Sequence, residues 1–324
     1  MLTVETLQKK LIKAFSENLA YGEPAELYDP IRYTMELGGK RMRPLLVLLG
    51  CDMFGGNLQQ ATDAAIGIEL FHNFTLLHDD IMDQAPLRRG RETVHKRWNT
   101  NRAILSGDTM FAMANRYILR IPAEYQASVL DLFNCTAIEV CEGQQLDMNF
   151  EAMDIVPIGD YLEMIRLKTA VLLAASLKIG AIIGGASEDA AQRLYKCGIS
   201  LGIAFQLTDD LLDAYGDELI FGKMMGGDIV ANKKTYLYLV ALERADNRQH
   251  SALLQLFSTT IADHEVKINK VKSIFDSLKV PELTRLEIRS HYEKAMDELN
   301  GIGLPDEKTR IFREYAASLM QRQV

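Results

Sequence analysis

Phe74-Thr75-Leu76-Leu77-His78-Asp79-Asp80-Ile81-Met82-Asp83 runs from an apolar stretch straight into three carboxylates. At about 100° per residue, Asp79 and Asp83 fall one turn apart on the same face of a helix. Apolar neighbours mark such a helix as buried, and buried carboxylates need a counter-charge. The pattern recurs as Phe205-Gln206-Leu207-Thr208-Asp209-Asp210-Leu211-Leu212-Asp213. One D-D-x-x-D alone is ordinarily a solvated acidic face. Two, each flanked by Leu, Ile, Met and Phe rather than Lys and Gln, predict facing carboxylate clusters with divalent cations between them. Oxygen-only ligands at one-turn spacing suit Mg²⁺, which takes few carboxylates and completes its shell with water and substrate phosphate. The candidate metal ligands are Asp79, Asp80, Asp83, Asp209, Asp210 and Asp213.

Outward from these motifs the chain reads as helix nearly throughout. Residues 31–50, 61–84, 103–121, 124–148 and 160–180 show i, i+3, i+4 apolar spacing. Asp160 with Glu163 has the form of a capping box, and Gly180 sits where that helix would end or kink. No period-2 alternation bounded by turns stands out, so the expected fold is all-α. No Pro- or Ser-rich linker divides the 324 residues, and one large helical-bundle domain over 1–324, around a deep central pocket, is expected. Between Tyr215 and Thr235 lie Gly216, Gly222, Gly226 and Gly227 with Lys223, Lys233 and Lys234. This segment reads either as a plain inter-helix loop or as a lid that folds over a phosphate. Beyond about Asp246 the chain is amphipathic and carries no chemical constellation.

A net charge of −8 argues against nucleic acid as a partner, which would call for a basic surface. Cys51, Cys135, Cys141 and Cys197 lack C-x-x-C spacing and read as small buried hydrophobes of a reducing compartment. The N-terminal residues lack a signal-peptide core. The most apolar stretch, residues 169–185, is interrupted by Lys178 and is too short to span a bilayer. A cytoplasmic protein without a membrane segment is expected.

Three basic groups complement the carboxylates. In Gly38-Gly39-Lys40-Arg41-Met42-Arg43-Pro44, Lys40 and Arg43 stand three apart beside a glycine pair, an arrangement suited to a diphosphate. Arg88-Arg89-Gly90 follows the first motif after a short turn containing Pro86. Lys168-Thr169 places a Lys and a hydroxyl inside an otherwise apolar helix. Singly, each reads as a solvent contact or, for Lys168, as a stem lying along an apolar face. Together with two acidic motifs they describe a site for two multiply charged anions, one held through metal and one by Lys and Arg. Phe71, Phe74, Leu76, Leu77 and Phe205 are the candidates for the rest of the pocket, most of them reading equally as ordinary helix-packing core. Diphosphate at the rim and hydrocarbon below is the chemistry of prenyl diphosphates.

With these motifs in order from Gly39 to Thr235, the chain resembles the trans-type isoprenyl diphosphate synthases of the polyprenyl synthetase family, in particular the short-chain members making farnesyl or geranylgeranyl diphosphate. The resemblance implies a prenyltransferase that condenses isopentenyl diphosphate head to tail with an allylic prenyl diphosphate. It implies three Mg²⁺ ions, with Asp79, Asp83 and Asp209 as ligands and Asp80, Asp210 and Asp213 supporting them. By the same resemblance Arg88, Lys168, Thr169, Gln206, Lys223 and Lys233 contact the allylic diphosphate, with Lys168, Thr169, Gln206 and Arg88 closest to the reacting bond. Lys40, Arg43, His72 and Arg89 hold isopentenyl diphosphate. Gln144 and Asp147 match a further family motif near the second substrate and the metal. His72 on its own would be a hydrogen-bonded core histidine; the family position alone raises it. A homodimer is implied as well. Glu92 stands where the family often has a small residue or Pro, and the end of the chain, Gln321-Arg322-Gln323-Val324, lacks the basic ending of some members.

Thr75 and Phe71 precede Asp79 by four and eight residues, continuing its stripe. Thr75 is too small to plug a pocket one turn down, whereas Phe71 closes it about 12 Å down at 1.5 Å per residue. Phe74 beside a small residue resembles the archaeal-type geranylgeranyl diphosphate synthases. A C20 product is favoured, with C15 next. Two rivals share parts of this reading. A terpene cyclase of the same fold would carry an Asn/Asp-Ser/Thr-Glu second motif, and a non-catalytic subunit of a heteromeric synthase would lack one acidic motif or a diphosphate-binding base.

Overall fold

The computed structural model describes residues 2–19, 22–216, 225–258 and 263–320. Gly222, Lys223 and the last four residues, named above, lie outside them. The described chain is all-α apart from one short hairpin. Its helices begin with α1 (Val4–Asn18), α2 (Ala25–Glu36), α3 (Met42–Met53) and α4 (Leu58–Met82). After the hairpin β1 (Leu87–Arg88) and β2 (Arg91–Glu92) come α5 (Val94–Arg97), α6 (Thr100–Ile118), α7 (Ala123–Ala152) and α8 (Ile158–Ile165). A π turn (Arg166–Ala170) leads into α9 (Val171–Ile183), followed by α10 (Glu188–Tyr215). The short helix Gly227–Val230 and helices Tyr236–Arg244, Asn247–Ser258, His264–Ser277, Val280–Asn300 and Asp306–Met320 complete the described chain. Among the described residues no helix is long and apolar enough to cross a membrane.

Several sequence expectations are corrected. The helix expected over 31–50 is two helices, because Gly38, Gly39 and Arg41 have φ of 78°, 118° and 47°, values that no right-handed helix accommodates. The expected capping box is absent: Pro157 precedes α8 without a side-chain cap, and Glu163 instead accepts two 2.8 Å hydrogen bonds from Arg166. The helix does not stop at Gly180. There α9 crosses α3 so closely that a Cβ would overlap the Val47 carbonyl, so this glycine is a packing residue. The hairpin was not foreseen; its turn, Arg89-Gly90, has φ of 54° and 75°, matching the type I′ turn that two-residue hairpins favour. Cys51 and Cys197 are buried, but Cys135 and Cys141 are exposed, because they fall on the solvent face of α7 with Asp131, Ile138 and Glu142.

The chain forms two compact units. The first comprises Met1–Cys135, Ala175–Leu194 and Leu304–Phe312. Here α4 packs against α1, α2, α3, α5 and α6. Helix α3 buries the run Leu45 to Leu49, and α4 buries Ala61, Ala64, Ala65, Ile66, Ile68, Leu70 and Phe71. Each large apolar side chain so buried contributes about 1.5–3 kcal/mol.

The second unit comprises Thr136–Ala174, Tyr195–Gly303 and Arg313–Val324. Its core joins Ile203, Leu207, Leu211 and Ala214 of α10 with Tyr161, Met164 and Ile165 of α8 and with Leu237, Leu239, Leu253, Val271 and Phe275. That 203/207/211/214 stripe faces the core, which places Gln206, Asp209, Asp210 and Asp213 on the adjoining faces of α10. The π turn is held by close backbone contacts. A Cβ at Gly143 of α7 would overlap the backbone of Lys168, and one at Gly202 of α10 would overlap Ala170.

Candidate active site

In the first unit α4 ends in the first acidic motif. Asp79 is half-buried, Asp80 is buried, and Asp83, as the C-cap, is exposed beside an exposed Met82. The motif is thus less enclosed than its apolar flanks imply, because the helix stops there. Arg88, on β1, supplies the counter-charge that a buried carboxylate requires. Its Nε donates to both Asp80 oxygens at 2.8 Å, and its Nη2 lies 2.7 Å from Asp80 Oδ1 and 3.9 Å from Asp79 Oδ2. Burial raises the Asp80 carboxyl above its ordinary range, and Arg88 opposes that rise. The hairpin is tied back to the motif by Thr93, whose hydroxyl donates to the Ala85 carbonyl at 2.7 Å.

The hairpin turn meets the loop before α3. Arg89 donates to the Gly38 carbonyl, and its guanidinium occupies the space a Cβ on Gly39 would fill. Arg43 Nη1 donates to His72 Nε2 at 3.1 Å. An acceptor Nε2 requires a neutral ring, and burial, with the charges of Arg43, Arg89, Arg88 and Arg41, holds His72 well below the usual imidazole range. Arg43, His72 and Arg89 are therefore brought together, with Lys40 exposed on the same loop. One turn along α4, the Thr75 hydroxyl donates to the His72 carbonyl at 2.8 Å. Phe71 and Phe74 join an aromatic cluster that the sequence did not reveal. Phe74 stacks on Phe111 (5.4 Å, 20°), while Phe71 lies 5.7 Å from Phe111 and 5.3 Å, edge-on, from Phe133.

In the second unit α10 carries the second motif. Asp210 is buried, and Asp209 and Asp213 are half-buried. Asp210 accepts hydrogen bonds from the Tyr161 hydroxyl and, at 2.9 Å, from Gln206 Nε2. Gln206 Oε1 in turn accepts from the Thr169 hydroxyl at 3.2 Å. Lys168 pairs with Asp147 of α7. Burial, then the charge of Asp228, pushes Asp210 up to about 7 against the two hydrogen bonds. Asp228 is held beside the motif because its amide donates to Asp213 Oδ2 at 2.9 Å and the Gly226 amide to the Asp213 carbonyl at 2.7 Å. Lys233 is exposed, its Nζ 4.0 Å from Asp228 Oδ1. Gln144 and Phe205 are half-buried on α7 and α10.

Tyr161 and Asp228 went unread in the sequence. A tyrosine in an apolar helix needs a partner for its hydroxyl, which was the available signal for the first. Asp228 directly follows the Gly226-Gly227 pair in a segment read only for its lysines. Among the described residues no three His, Cys, Asp or Glu side chains converge closely enough to hold a metal by themselves. The donor set nevertheless fits a hard cation. Among the described residues the hydrogen-bond donors to Asp210 are neutral, with further carboxylates nearby, and Mg²⁺ uses one or two carboxylates with phosphate oxygens and water.

A sequence profile of the polyprenyl synthetase family matches residues 24–276. The chain is 37% identical over 302 residues to a geranylgeranyl diphosphate synthase of Methanosarcina mazei, covering 93% of this chain and 91% of that one. It is 40% identical over 252 residues to a geranylfarnesyl diphosphate synthase of Natronomonas pharaonis, covering 72% and 73%. A crystal structure of a geranylgeranyl pyrophosphate synthase, 42% identical, matches it with a TM-score of 0.95 over 100% of both chains. With two D-D-x-x-D helices, the cationic loop and the Lys-Thr π turn all in place, the chain belongs to the polyprenyl synthetase family.

Proposed function

We propose that this chain is a prenyltransferase that joins isopentenyl diphosphate head to tail to an allylic prenyl diphosphate, releasing diphosphate and a linear trans-prenyl diphosphate, C20 in preference to C15. The observation that carries this reading is the layout of α4. Over the last turns of one 25-residue helix and its C-cap it presents Phe71 and Phe74 of an aromatic cluster, the Arg43-bound His72 among them, and the acidic motif at Asp79, Asp80 and Asp83. Groups suited to hydrocarbon, diphosphate and metal thus share one end of one rod. Relatives named for C20 synthesis support the product length; the geranylfarnesyl relative shows that longer products occur among similar proteins.

In this reading 1–324 works as one catalytic domain. Asp79, Asp83 and Asp209 hold Mg²⁺, three ions in all, with Asp80, Asp210 and Asp213 supporting the ligand set. When bound, Mg²⁺ neutralises charge on the leaving diphosphate. Arg88, Lys168, Lys223 and Lys233 bind the allylic diphosphate and take up the charge that develops as its C–O bond ionises. Lys40, Arg43, His72 and Arg89 hold isopentenyl diphosphate, whose double bond attacks the allylic cation; neutral His72 serves as an oriented partner of Arg43. Thr169 and Gln206 place oxygen dipoles near the cation, and neither is nucleophilic enough to trap it. Gln144 and Phe205 flank the same space, and apolar surroundings keep water from the cation. The proton lost in forming the new double bond passes to the departed diphosphate, since among the described residues no side chain stands out as a dedicated base. Free cysteines suit the cytoplasm, and we propose a homodimer there on the family's habit.

Product analysis tests this. Purified protein receives isopentenyl diphosphate with dimethylallyl, geranyl or farnesyl diphosphate, with Mg²⁺ or EDTA, and products are read by mass spectrometry. A Mg²⁺-dependent linear C20 diphosphate is expected. Arrest at C15 would overturn the product length alone. Folded protein that elongates no primer would overturn the activity and favour a non-catalytic subunit.

A further inference from the structure

Between Lys40 and Arg43 sits a third cation that turns inward. Arg41 has a left-handed backbone at the N-terminus of α3, a conformation uncommon for a long side chain. Its guanidinium donates to Glu69 Oε1 and to the Met35 carbonyl and lies 5.3 Å from the Phe15 ring centroid. The Arg41 and Glu69 side chains are 13% and 3% exposed. Asn73, one turn along α4, donates to the Glu69 carbonyl at 2.8 Å and to Oε1 at 3.0 Å. Glu69, His72 and Asn73 share one face of α4. The loop before α3 is thus fastened to that face twice, by Arg41 on Glu69 and by Arg43 on His72.

This double attachment has a reason in the local charge. Arg41, Arg43, Arg88 and Arg89 all act on His72, and Glu69 is the buried carboxylate paired within that group. Left alone, the cations would repel one another and splay the loop. We infer that Arg41 and Glu69 are positioning residues: a buried tether that fixes the loop so that Lys40 and Arg43 stand ready for the diphosphate of isopentenyl diphosphate. Neither touches substrate. The inference rests on the proposed function for the identity of that substrate.

Arg41→Met, Glu69→Gln and the double variant test it. Each single variant raises KM for isopentenyl diphosphate about tenfold to a hundredfold, the scale of a misplaced binding group, with kcat and the allylic KM nearly unchanged. The double variant leaves neither charge buried and unpaired, so its Tm recovers toward wild type while KM for isopentenyl diphosphate stays high. Recovery of that KM together with Tm would overturn the inference, as would a parallel loss in kcat and both KM values. Calorimetric binding of inorganic diphosphate in EDTA gives a readout free of turnover. The variants should bind it more weakly than wild type, and unaltered affinity would overturn the tether. If wild-type protein elongated no primer, the proposed function would fall while calorimetry still decided this point.

Discussion

Asp80 and Asp210 hold the same place in the two motifs and are equally buried, each 5% exposed, yet they are neutralised by opposite means. Asp80 has a guanidinium across both of its oxygens. Asp210 has a phenol and a side-chain amide, with Asp228 close enough to push it further up. Among the described residues, then, Asp80 is held by a cation and Asp210 by neutral hydrogen-bond donors. A buried carboxylate held by neutral donors is costly, so a cation bound at the second motif would relieve Asp210 more than one at the first would relieve Asp80. A repeated motif therefore need not mean a repeated environment.

If the two motifs share one task, each is indispensable to elongation. EDTA is expected to abolish elongation. Asp79→Asn and Asp209→Asn should each lower kcat about 10²- to 10³-fold, the scale of losing one charge-stabilising group at a reacting centre. Radiolabel incorporation from isopentenyl diphosphate measures both. Full activity in Asp209→Asn beside a silent Asp79→Asn would separate the motifs.

Metal-free stability sharpens the contrast. Asp80→Asn leaves Arg88 only the more distant Asp79 carboxylate and should cost about 1–3 kcal/mol, toward the low end because Arg88 is 26% exposed. Asp210→Asn removes a buried charge that burial and Asp228 disfavour. Its Oδ1 still accepts from Tyr161, and Gln206 can turn its amide so that oxygen faces the new NH₂. Thermal melting in EDTA should therefore show a lowered Tm for Asp80→Asn and an equal or higher Tm for Asp210→Asn. Matching losses would erase the distinction.

The flanks differ too. Four and eight residues before Asp79 stand Thr75 and Phe71, with Phe74 packed on Phe71 and stacked on Phe111; four and eight before Asp209 stand Phe205 and Leu201. If only α4 measures the hydrocarbon, Phe74→Ala should lengthen the product by at least one C5 unit, read by mass spectrometry, and Phe205→Ala should not. Phe71→Ala is a poorer probe, since Phe71 is 1% exposed and its loss should cost about 3–5 kcal/mol.

How much of this was legible depended on range in sequence. The α10 stripe Ile203, Leu207, Leu211 and Ala214 is periodic, so helix, buried face and the position of the acidic residues could be read directly. The pairing of Asp210 with Tyr161 spans 49 residues, and no local pattern encodes it. The break between α2 and α3 was marked by Gly38-Gly39, but the apolar periodicity on either side outvoted two glycines. The π turn at Lys168-Thr169 was invisible, because what permits it is the missing Cβ on Gly143 and Gly202, residues on other helices.

That π turn sets up the smallest expected effect. The extra residue in the turn, closed by the Val171 amide on the Arg166 carbonyl, lies next to the pair Lys168 and Thr169. Lys168 reaches Asp147 on α7, and Thr169 reaches Gln206 on α10. Thr169→Val keeps the shape and removes only the donor to Gln206 Oε1. Gln206 is then held on one side alone, through Asp210. One neutral hydrogen bond contributes about 0.5–1.5 kcal/mol, so the single-turnover rate should fall about two- to tenfold, with Thr169→Ser close to wild type. An inactive Thr169→Val would mean that the hydroxyl acts on the allylic substrate directly. A Thr169→Val indistinguishable from wild type would mean that the hydrogen bond to Asp210 orients Gln206 unaided.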